Sequence, residues 1–371
     1  MSKAAELAAL IGSQSSLSNR NLIINGAMNV SQRSVSETAQ HTSGYITCDR
    51  FLFNFVNEDE LRLTVTQEAD GPSGFSNSLK LQTTTAESAV AADEELRVIY
   101  RAEGQDLQSL GFGTSAAKKF TVSFYVKSSV AATYGFNAYI YDANKVFGQA
   151  YTINSANTWE RKSITFDANT ASGITDDNTA GLQLNWFLMA GSDYTSGSNS
   201  SWETFATAKS AVGHTANAVA TTTNATWQIT GVQLEVGEQA TPFEHRLFGD
   251  EYQRCLRYYY RTPAPNGGMS ANETFPCIGN MDGTQTGAYM LQFPIPMRAA
   301  PSAIEQSGTA SDYSIRVTSD ANGTSVPTAG GFTAESALIN LVSSGAGFTS
   351  GDACFMRAES TDAFLAFSAE L

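Results

Sequence analysis

The sequence is poor in the residues and motifs that most catalytic and metal sites require. It contains three histidines and four cysteines, and the cysteines (Cys48, Cys255, Cys277 and Cys354) lie far apart with no CxxC spacing. Cysteines scattered in this way form neither a zinc site nor a disulfide framework, so we expect free, reduced thiols. No GxSxG, HExxH or Walker sequence is present. The sequence therefore predicts no catalytic residue, no metal ion and no cofactor.

Charged residues are also scarce, at 16% of the chain, and 36 acidic residues against 22 basic ones give a net charge of −14. A chain of this sign is repelled by phosphates, which argues against nucleic acid as a partner. No apolar run reaches the ~20 residues of a membrane-spanning helix. The N-terminus lacks the apolar stretch and cleavage site of a secretory signal. We therefore expect a protein that is made in the cytoplasm, does not insert into membranes and binds partners that are neutral or that present cations or sugars.

What the chain has in abundance is the period-two alternation of β-strands. It predicts strands at 49–56, 60–67, 78–82, 96–101, 119–127, 134–141, 158–166, 181–189 and 226–235, and later at 287–293, 313–318, 336–341 and 363–369. The segment NLIING (21–26) is also predicted as a strand that enters a turn. The connections are too short for crossover helices, so the strands are expected to be antiparallel and packed in two layers.

The predicted fold is mainly β, with a short N-terminal helix, a jelly-roll-like β-sandwich and a smaller C-terminal β domain. The corresponding ranges are 1–20, 21–248 and 249–371, because proline and glycine turns become frequent after residue 248. Within the predicted helix, Ala4, Leu7 and Ile11 lie on one face. A helix this short is marginal on its own. We therefore expect it to make trimer contacts or to attach the chain to another protein.

Two long blocks of sequence resemble a module of bacteriophage tail-fibre and other virion appendage proteins. They are NLIINGAMNVSQR followed by YITCDRFLF, and WQITGVQLEVGEQATPFEHR followed by EYQRCLRYYYR, and the similarity covers residues 18–261. The resemblance implies a jelly roll related to carbohydrate-binding modules, carried on a homotrimeric fibre or spike of the virion. In such proteins the variable distal part commonly contacts the host, and a host cell-surface glycan is the partner expected there. Attachment to a tail or head protein is expected through the N-terminal region, because a chain of this length with no long shaft must dock directly. Residues 262–371 match no family, as expected of a receptor-binding tip.

Aromatic rings beside polar side chains are the residues expected to bind sugars, because rings stack on pyranose faces while amides and carboxylates bind the hydroxyl groups. Tyr194, Trp202 and Phe205 lie in a long polar loop, and Tyr289, Tyr313 and Phe348 lie in or beside turns of the C-terminal domain. The alternative for Trp202 and Phe205 is that their rings anchor the loop to the core, which is the favoured interpretation for those two residues.

Three functions fit these observations. The favoured one is a tail-fibre or spike subunit that attaches to the host by binding surface glycans. The alternatives are a head decoration or capsid-fibre protein without an adsorption role, and a glycan-depolymerising spike enzyme. Asp93-Glu94-Glu95 and Asp176-Asp177 are the densest acidic clusters. Such clusters are more often solvated turns than the paired carboxylates of a glycosidase, so we predict no enzymatic activity.

Overall fold

A computed structural model describes residues 19–263, 269–344 and 348–371. Within these residues the protein is mainly β and its strands pair antiparallel, which confirms the predicted fold class. The chain divides into two compact units. The sandwich unit comprises the described residues up to Asn29, Val35–Phe248 and Leu371, and the C-terminal unit comprises Val30–Ser34 and Gly249–Glu370. The predicted helix that carries Ala4, Leu7 and Ile11 lies outside the described residues, so its role stays a prediction.

The sandwich unit consists of two antiparallel sheets. Its strands are β1 (Ser36–Gln40), β2 (Gly44–Tyr45), β3 (Phe51–Val56), β4 (Arg62–Glu68), β5 (Ser78–Thr85), β6 (Glu95–Glu103), β7 (Phe120–Ser128), β8 (Thr133–Ile140), β9 (Lys145–Thr152), β10 (Glu160–Phe166), β11 (Ala180–Ala190), β12 (Glu203–Thr204) and β13 (Thr226–Val236). Short helical turns lie in the connections at Gly104–Leu110, Ser192–Thr195, Thr207–Lys209 and Ala218–Thr221. The strand orders are β1-β4-β5-β13-β7-β10 and β12-β9-β8-β11-β6-β3-β2.

The core of this unit lies between the two sheets and is rich in aromatic rings. Trp186 of β11 is fully buried, with its ring centroid 5.8 Å from Phe124 of the facing sheet and 5.0 Å from Phe136 of the adjacent strand. Truncation of a buried ring of this size costs about 3–5 kcal/mol, so such contacts dominate the stability of the unit. The four cysteines of the chain are buried and free, as predicted.

The segment Asn21–Gly26 was predicted to be a strand, and in the structure it is irregular. Asn25 has a φ of +61°, a left-handed conformation that interrupts a strand. The segment nevertheless follows the second half of β13, because Leu22 N donates to Leu234 O and Val232 N donates to Gly26 O, each at 2.9 Å. The approach is so close that a Cβ on Gly26 would lie 2.1 Å from the Val232 carbonyl oxygen.

The side chain of Asn21 completes this contact. It is buried, its Oδ1 accepts from Leu234 N at 3.1 Å and from Ile23 N at 3.0 Å, and its Nδ2 donates to Val232 O at 3.2 Å. From the other end of the unit, the Arg246 guanidinium donates to the carbonyl oxygens of Asn21 and Ile23. The two blocks of sequence that carry the resemblance are thus in direct contact here.

Asp49 and Arg50, which precede β3, have a structural role. Both are buried. Arg50 Nη2 donates to the Arg101 carbonyl oxygen at 2.7 Å, and its guanidinium lies 5.5 Å from the centre of the Tyr100 ring. The Asp49 carbonyl oxygen accepts from Asn25 Nδ2 at 3.0 Å. These contacts hold the two residues within the core of the unit and leave neither exposed as a surface site.

The C-terminal unit contains a helix, a small sheet and a larger sheet. The helix is Phe248–Leu256, and the strands are β14 (Tyr259–Thr262), β15 (Ile278–Met281), β16 (Thr286–Gln292), β17 (Ile304–Gln306), β18 (Tyr313–Arg316), β19 (Asp320–Asn322), β20 (Thr328–Phe332), β21 (Ser336–Val342), β22 (Ala353–Ala358) and β23 (Leu365–Ser368), with a 3₁₀ turn at Ala310–Asp312. The sheet orders are β14-β23-β17 and β19-β18-β22-β15-β16-β21-β20. Val30–Ser34 joins this unit because Gln32 Nε2 donates to Tyr259 O and Arg33 lies 3.6 Å above the Tyr259 ring.

We expect Asn21→Ala to lower the free energy of unfolding of the sandwich unit by about 3 kcal/mol, because three buried hydrogen bonds of ~1 kcal/mol each are lost. Urea denaturation followed by tryptophan fluorescence measures this unit, since all four tryptophans of the chain lie in it. The control is Asn280→Ala, the same change at an exposed position of the C-terminal unit. Equal curves for the two variants would show that the Asn21 contacts do not support the sandwich.

Candidate functional site

In the sandwich unit, the outward face of the seven-stranded sheet holds a groove of about 210 Å³. It lies over β6, β8 and β11, where side chains alternate between the core and this outer face. The lining residues are Arg97, Arg101, Asn137, Tyr139, Tyr141, Gln183, Asn185 and Phe205. Polar side chains form the floor and aromatic rings form one side.

A chain of three buried amides forms the floor. Gln183 Nε2 donates to Asn185 Oδ1 at 2.7 Å, Asn185 Nδ2 donates to Asn137 Oδ1 at 2.6 Å, and Asn137 Nδ2 donates to the Ser210 carbonyl oxygen at 2.7 Å. Each amide uses its oxygen and its nitrogen toward different neighbours, so the direction of the chain is set. Because an unpaired buried amide is costly, these side chains are held in place.

Arg101 extends the floor at the Gln183 end. Its Nε donates to Gln183 Oε1 at 2.8 Å, and the hydroxyl of Tyr141 donates to the same oxygen at 2.6 Å. The Arg101 guanidinium also lies 5.8 Å from the centre of the Tyr141 ring. A cation and a phenol are therefore oriented by one amide oxygen.

Arg97 lies on the same strand and the same face, four residues earlier. Its Nε donates to Asn54 Oδ1 at 3.1 Å and lies 3.0 Å from Glu95 Oε1. The Glu95 side chain is only 1% exposed, and burial raises the pKa of this carboxyl while Arg97 lowers it. Glu95 is thus a covered partner of Arg97 and is not among the residues that line the groove.

The aromatic side of the groove is formed by Tyr139, Tyr141 and Phe205. The Tyr139 ring meets those of Tyr141 and Phe205 edge to face, with centroids 5.0 and 5.5 Å apart. Phe205 is 38% exposed, and Tyr139 is partly buried, which raises the pKa of its phenol. These rings offer apolar surface beside the hydrogen-bonding groups of the floor.

The loop between β12 and β13 covers part of the sheet face and contributes Ser210 to the floor. Gly135 of β8 permits its approach, because a Cβ there would lie 3.0 Å from the Ala211 Cα. His214 holds the loop, since its Nδ1 accepts from Gly135 N at 3.2 Å and its Nε2 lies 3.0 Å from Asn217 Oδ1. Burial lowers the pKa of His214 to about 4, so the ring is neutral near pH 7.

Trp202 and Tyr194, among the loop aromatics predicted to bind sugar, have structural roles. The Trp202 ring packs against the core rings of Phe112 and Phe147, at 5.8 and 5.6 Å, and its Nε1 donates to the Asp167 carbonyl oxygen. The favoured interpretation of Trp202 as an anchor therefore agrees with the structure. Tyr194 is partly buried against a small apolar cluster with Phe187 and donates to Asp93 O at 3.2 Å. Neither ring lines the groove.

The predicted candidates of the C-terminal domain are buried. Tyr289 and Tyr313 are fully covered within the core of their unit, and Phe348 belongs to the same cluster. A covered ring has no face on which a sugar can stack, so the structure corrects the expectation that these three residues form a surface site. Tyr289 and Tyr313 occupy inward positions of β16 and β18, and Phe348 packs into the core from the connection between β21 and β22.

The acidic clusters stabilise turns. Glu94 Oε2 accepts from Ala91 N at 2.8 Å, and Asp177 Oδ1 accepts from Thr179 N at 2.8 Å. Across the described ranges, no three histidine, cysteine, aspartate or glutamate side chains form a group that could hold a metal ion. No helix in the same ranges is long and apolar enough to cross a membrane.

Apart from Phe205, the groove residues were not predicted, although the sequence contained a signal. In β11 the polar residues Gln183 and Asn185 alternate with Leu182, Leu184 and Trp186, which marks the first two as outward-facing positions of a central strand. Neighbouring outward amides of this kind indicate a polar surface feature. Sequence alone did not show that β6, β8 and β11 are adjacent.

A second cavity, of about 700 Å³, lies in the sandwich unit beside the end of β13. Its described lining includes Leu22, Val236 and Lys119 but no aromatic ring. Although it is larger, it lacks the convergent amides and rings of the groove. We therefore choose the groove as the candidate binding site for the chemistry of its lining residues, although its volume is smaller.

Comparison with known proteins finds no matching family model and no matching curated protein. Among solved structures, a tailspike protein of bacteriophage CBA120 (enzymatically active domain) is 11% identical, with a TM-score of 0.29, over 59% of this chain and 22% of that chain. A putative sugar-binding protein of Bacteroides thetaiotaomicron is 13% identical, with a TM-score of 0.31, over 58% of this chain and 100% of that chain.

A family 11 carbohydrate-binding module of a Clostridium thermocellum cellulase is 11% identical, with a TM-score of 0.27, over 56% of this chain and 98% of that chain. This chain thus spans about a fifth of the tailspike and nearly the whole of the two smaller proteins. At these identities and TM-scores, none of the three assigns a function to the chain.

Proposed function

We propose that this protein is a bacteriophage virion subunit, a tail fibre or spike, that binds a host surface glycan in the groove of its sandwich unit. The observation that carries this proposal is the groove itself, in which an oriented floor of amides lies beside two partly buried tyrosine rings and the exposed ring of Phe205. Amides in fixed directions match the donors and acceptors of sugar hydroxyls, and rings match the apolar faces of pyranoses. The resemblance of residues 18–261 to appendage modules supports assignment to a virion.

The shape of the groove favours part of a polymer over a small molecule. At about 210 Å³ it is smaller than the roughly 300–1,000 Å³ of pockets that enclose small ligands. A short run of a polysaccharide lying across the sheet would contact the floor and the ring of Phe205 while the rest of the polymer remains in solvent.

The proposal is for binding without catalysis. Glycoside hydrolysis ordinarily uses two carboxyl groups on either side of the scissile bond. The residues that line the groove include arginines, amides and phenols, and none is a carboxylate. That lining supports a binding site, and incubation of the protein with a bound polysaccharide is expected to release no reducing ends.

We expect Phe205→Ala to weaken glycan binding by about tenfold, the factor that corresponds to a loss of about 1.4 kcal/mol of ring contact. The purified chain is applied to an array of bacterial surface polysaccharides, and affinities for the positive spots are then measured by titration. The control is Phe248→Ala, which removes a ring that is 60% exposed and does not line the groove. Equal loss in both variants, or no positive spot, would contradict the groove as a glycan site.

Position on the virion tests the adsorption role. An antibody against residues 262–371 is expected to label the tail of intact particles, because a receptor-binding subunit must reach the host. Label distributed over the head would instead support the alternative of a decoration or capsid-fibre protein.

We also propose that the chain forms a homotrimer and that the C-terminal unit takes part in self-association. Ile278, Met290 and Phe355 lie side by side on the outer face of its seven-stranded sheet, and are 73%, 52% and 46% exposed. Ile278 pairs with Met290 across β15 and β16, and the pairing of Gly279 with Cys354 places Ile278 beside Phe355. We name this row the apolar stripe. Exposed apolar rows of this kind favour a protein partner.

The charge around the apolar stripe is compatible with a second copy of the same chain. The outward residues next to it on β15, β16 and β21 include Asn280, Ala288 and Asn340, which are uncharged. On its other side, Arg316 lies opposite Phe355, and Arg316 and Arg357 are both paired with Asp320. Two copies of a chain with a net charge of −14 repel each other, so contact is favoured where neither copy presents charge.

Light scattering is expected to give a mass three times that of one chain, and Ile278→Asp is expected to shift the mass toward the monomer because it places a charge within the apolar stripe. The control is Val35→Asp, at an exposed apolar residue of the sandwich unit (38%). A trimer that survives Ile278→Asp would exclude the apolar stripe as its contact, and a monomer of the unchanged chain would exclude the trimer.

A further inference from the structure

The charge of the groove is opposite to that of the chain that carries it. The chain has a net charge of −14, yet the groove is lined by two arginines and by no acidic residue. Glu95 offsets part of the Arg97 charge from beneath the surface and is 1% exposed, and the backbone oxygen of the last residue, Leu371, accepts from Arg101 Nη1 at 2.5 Å. Neither residue lines the groove. The side of the sheet that a glycan would contact is therefore cationic.

The two guanidinium groups are oriented and still have donors to offer. Arg97 uses Nε toward Asn54 and Glu95, and in the described residues its two terminal nitrogens have no acceptor. Arg101 uses Nε toward Gln183 and Nη1 toward the Leu371 carbonyl oxygen, which leaves Nη2 without an acceptor in the same residues. A guanidinium that is held through Nε and still has terminal N–H groups to donate matches the planar, two-oxygen geometry of a carboxylate.

The spacing of the arginines suits a polymer that carries repeated acid groups. Arg97 and Arg101 are four residues apart on β6, which corresponds to about 13 Å along a strand. One carboxylate cannot bridge that distance, so the two side chains would contact different acid groups. Between them the amide floor and the rings remain available to the neutral part of the same polymer.

We propose that the groove selects acidic polysaccharides, and that Arg97 and Arg101 bind the carboxylates of uronic-acid residues. This inference rests on the proposed function, because it names the class of glycan that the same groove takes. A nucleic acid is a poorer match. Only two cations line the groove, whereas the rest of the chain repels a continuous row of phosphates.

The experiment compares polymers that differ only in charge. Binding of the purified chain to polygalacturonate is measured beside its methyl ester, and binding to hyaluronan is measured beside its methyl ester. Dextran sulfate and dextran form a third pair, which separates sulfate from carboxylate. The expected result is binding to at least one carboxylate polymer about tenfold tighter than to its ester, with a preference that falls as salt is raised from about 0.05 to about 0.5 M.

The variants assign the preference to the groove. Arg101→Gln is expected to remove most of the difference between acid and ester while binding to the ester is retained, and Arg97→Gln provides a second variant if Arg101→Gln lowers the melting temperature. Arg161→Gln is the matched control, since Arg161 is an exposed arginine on β10 of the other sheet. The Arg161→Gln variant is expected to prefer the acid polymer over its ester as strongly as the unchanged chain does.

The outcomes separate this inference from the proposed function. Equal affinity for acid and ester, or binding only to neutral glycans of the array, overturns the acidic preference and leaves glycan binding intact. Tighter binding to dextran sulfate than to either carboxylate polymer overturns the assignment to uronic acids. Binding to no glycan in the pairs or on the array overturns both proposals. An acid preference that Arg97→Gln and Arg101→Gln both leave unchanged places the cationic site elsewhere.

Discussion

The sandwich unit depends on how the exposed backbone groups of β13 are paired. This strand runs between β5 and β7, but β5 pairs with it only over Thr226–Ile229. Beyond the bulge at Gly231, the N-terminal segment Asn21–Gly26 takes the place of β5 and bonds to Val232 and Leu234. Without this segment, the backbone amides and carbonyls of β13 would be buried without partners, at a cost of about 1–3 kcal/mol each. The sheet therefore needs the contact with Asn21–Gly26 to be stable. This contact also brings together Asn21 and Arg246, which lie in the two blocks of the resemblance and are 225 residues apart in the chain.

The groove is a consequence of that frame. The core lies between the six-stranded and the seven-stranded sheet of the sandwich unit. The seven-stranded sheet packs on this core with its inner side, so the outer side of β6, β8 and β11 can carry polar residues. The loop held by His214 then closes one side and brings a backbone acceptor to Asn137. Rigid strands therefore determine the positions of the floor amides, and this rigidity suits recognition of a ligand with many similar hydroxyl groups.

The sequence predicted much of the fold because period-two alternation is a local property. Strands such as β3, β7 and β11 alternate clearly, and each was found within two residues of its predicted bounds. β9 was missed because Gly148 and Ala150 weaken the alternation at its outward positions. Asn21–Gly26 has a strand-like composition, but the left-handed Asn25 and the contact with β13 decide its conformation, and neither is visible in a local pattern.

The sequence by itself determined that the chain is a mainly β, acidic protein with free cysteines, because composition, alternation and cysteine spacing need no knowledge of distant contacts. It also indicated which residues of a strand lie on the same face. Only the tertiary structure decided which of those outward faces are adjacent, and so brought Arg101, Gln183 and Asn137 from three strands into one groove. It likewise decided that Tyr289 and Tyr313 are covered. The physical reason is that strand order and the choice between a covered and an open face come from pairing between residues far apart in the chain, which no local pattern specifies.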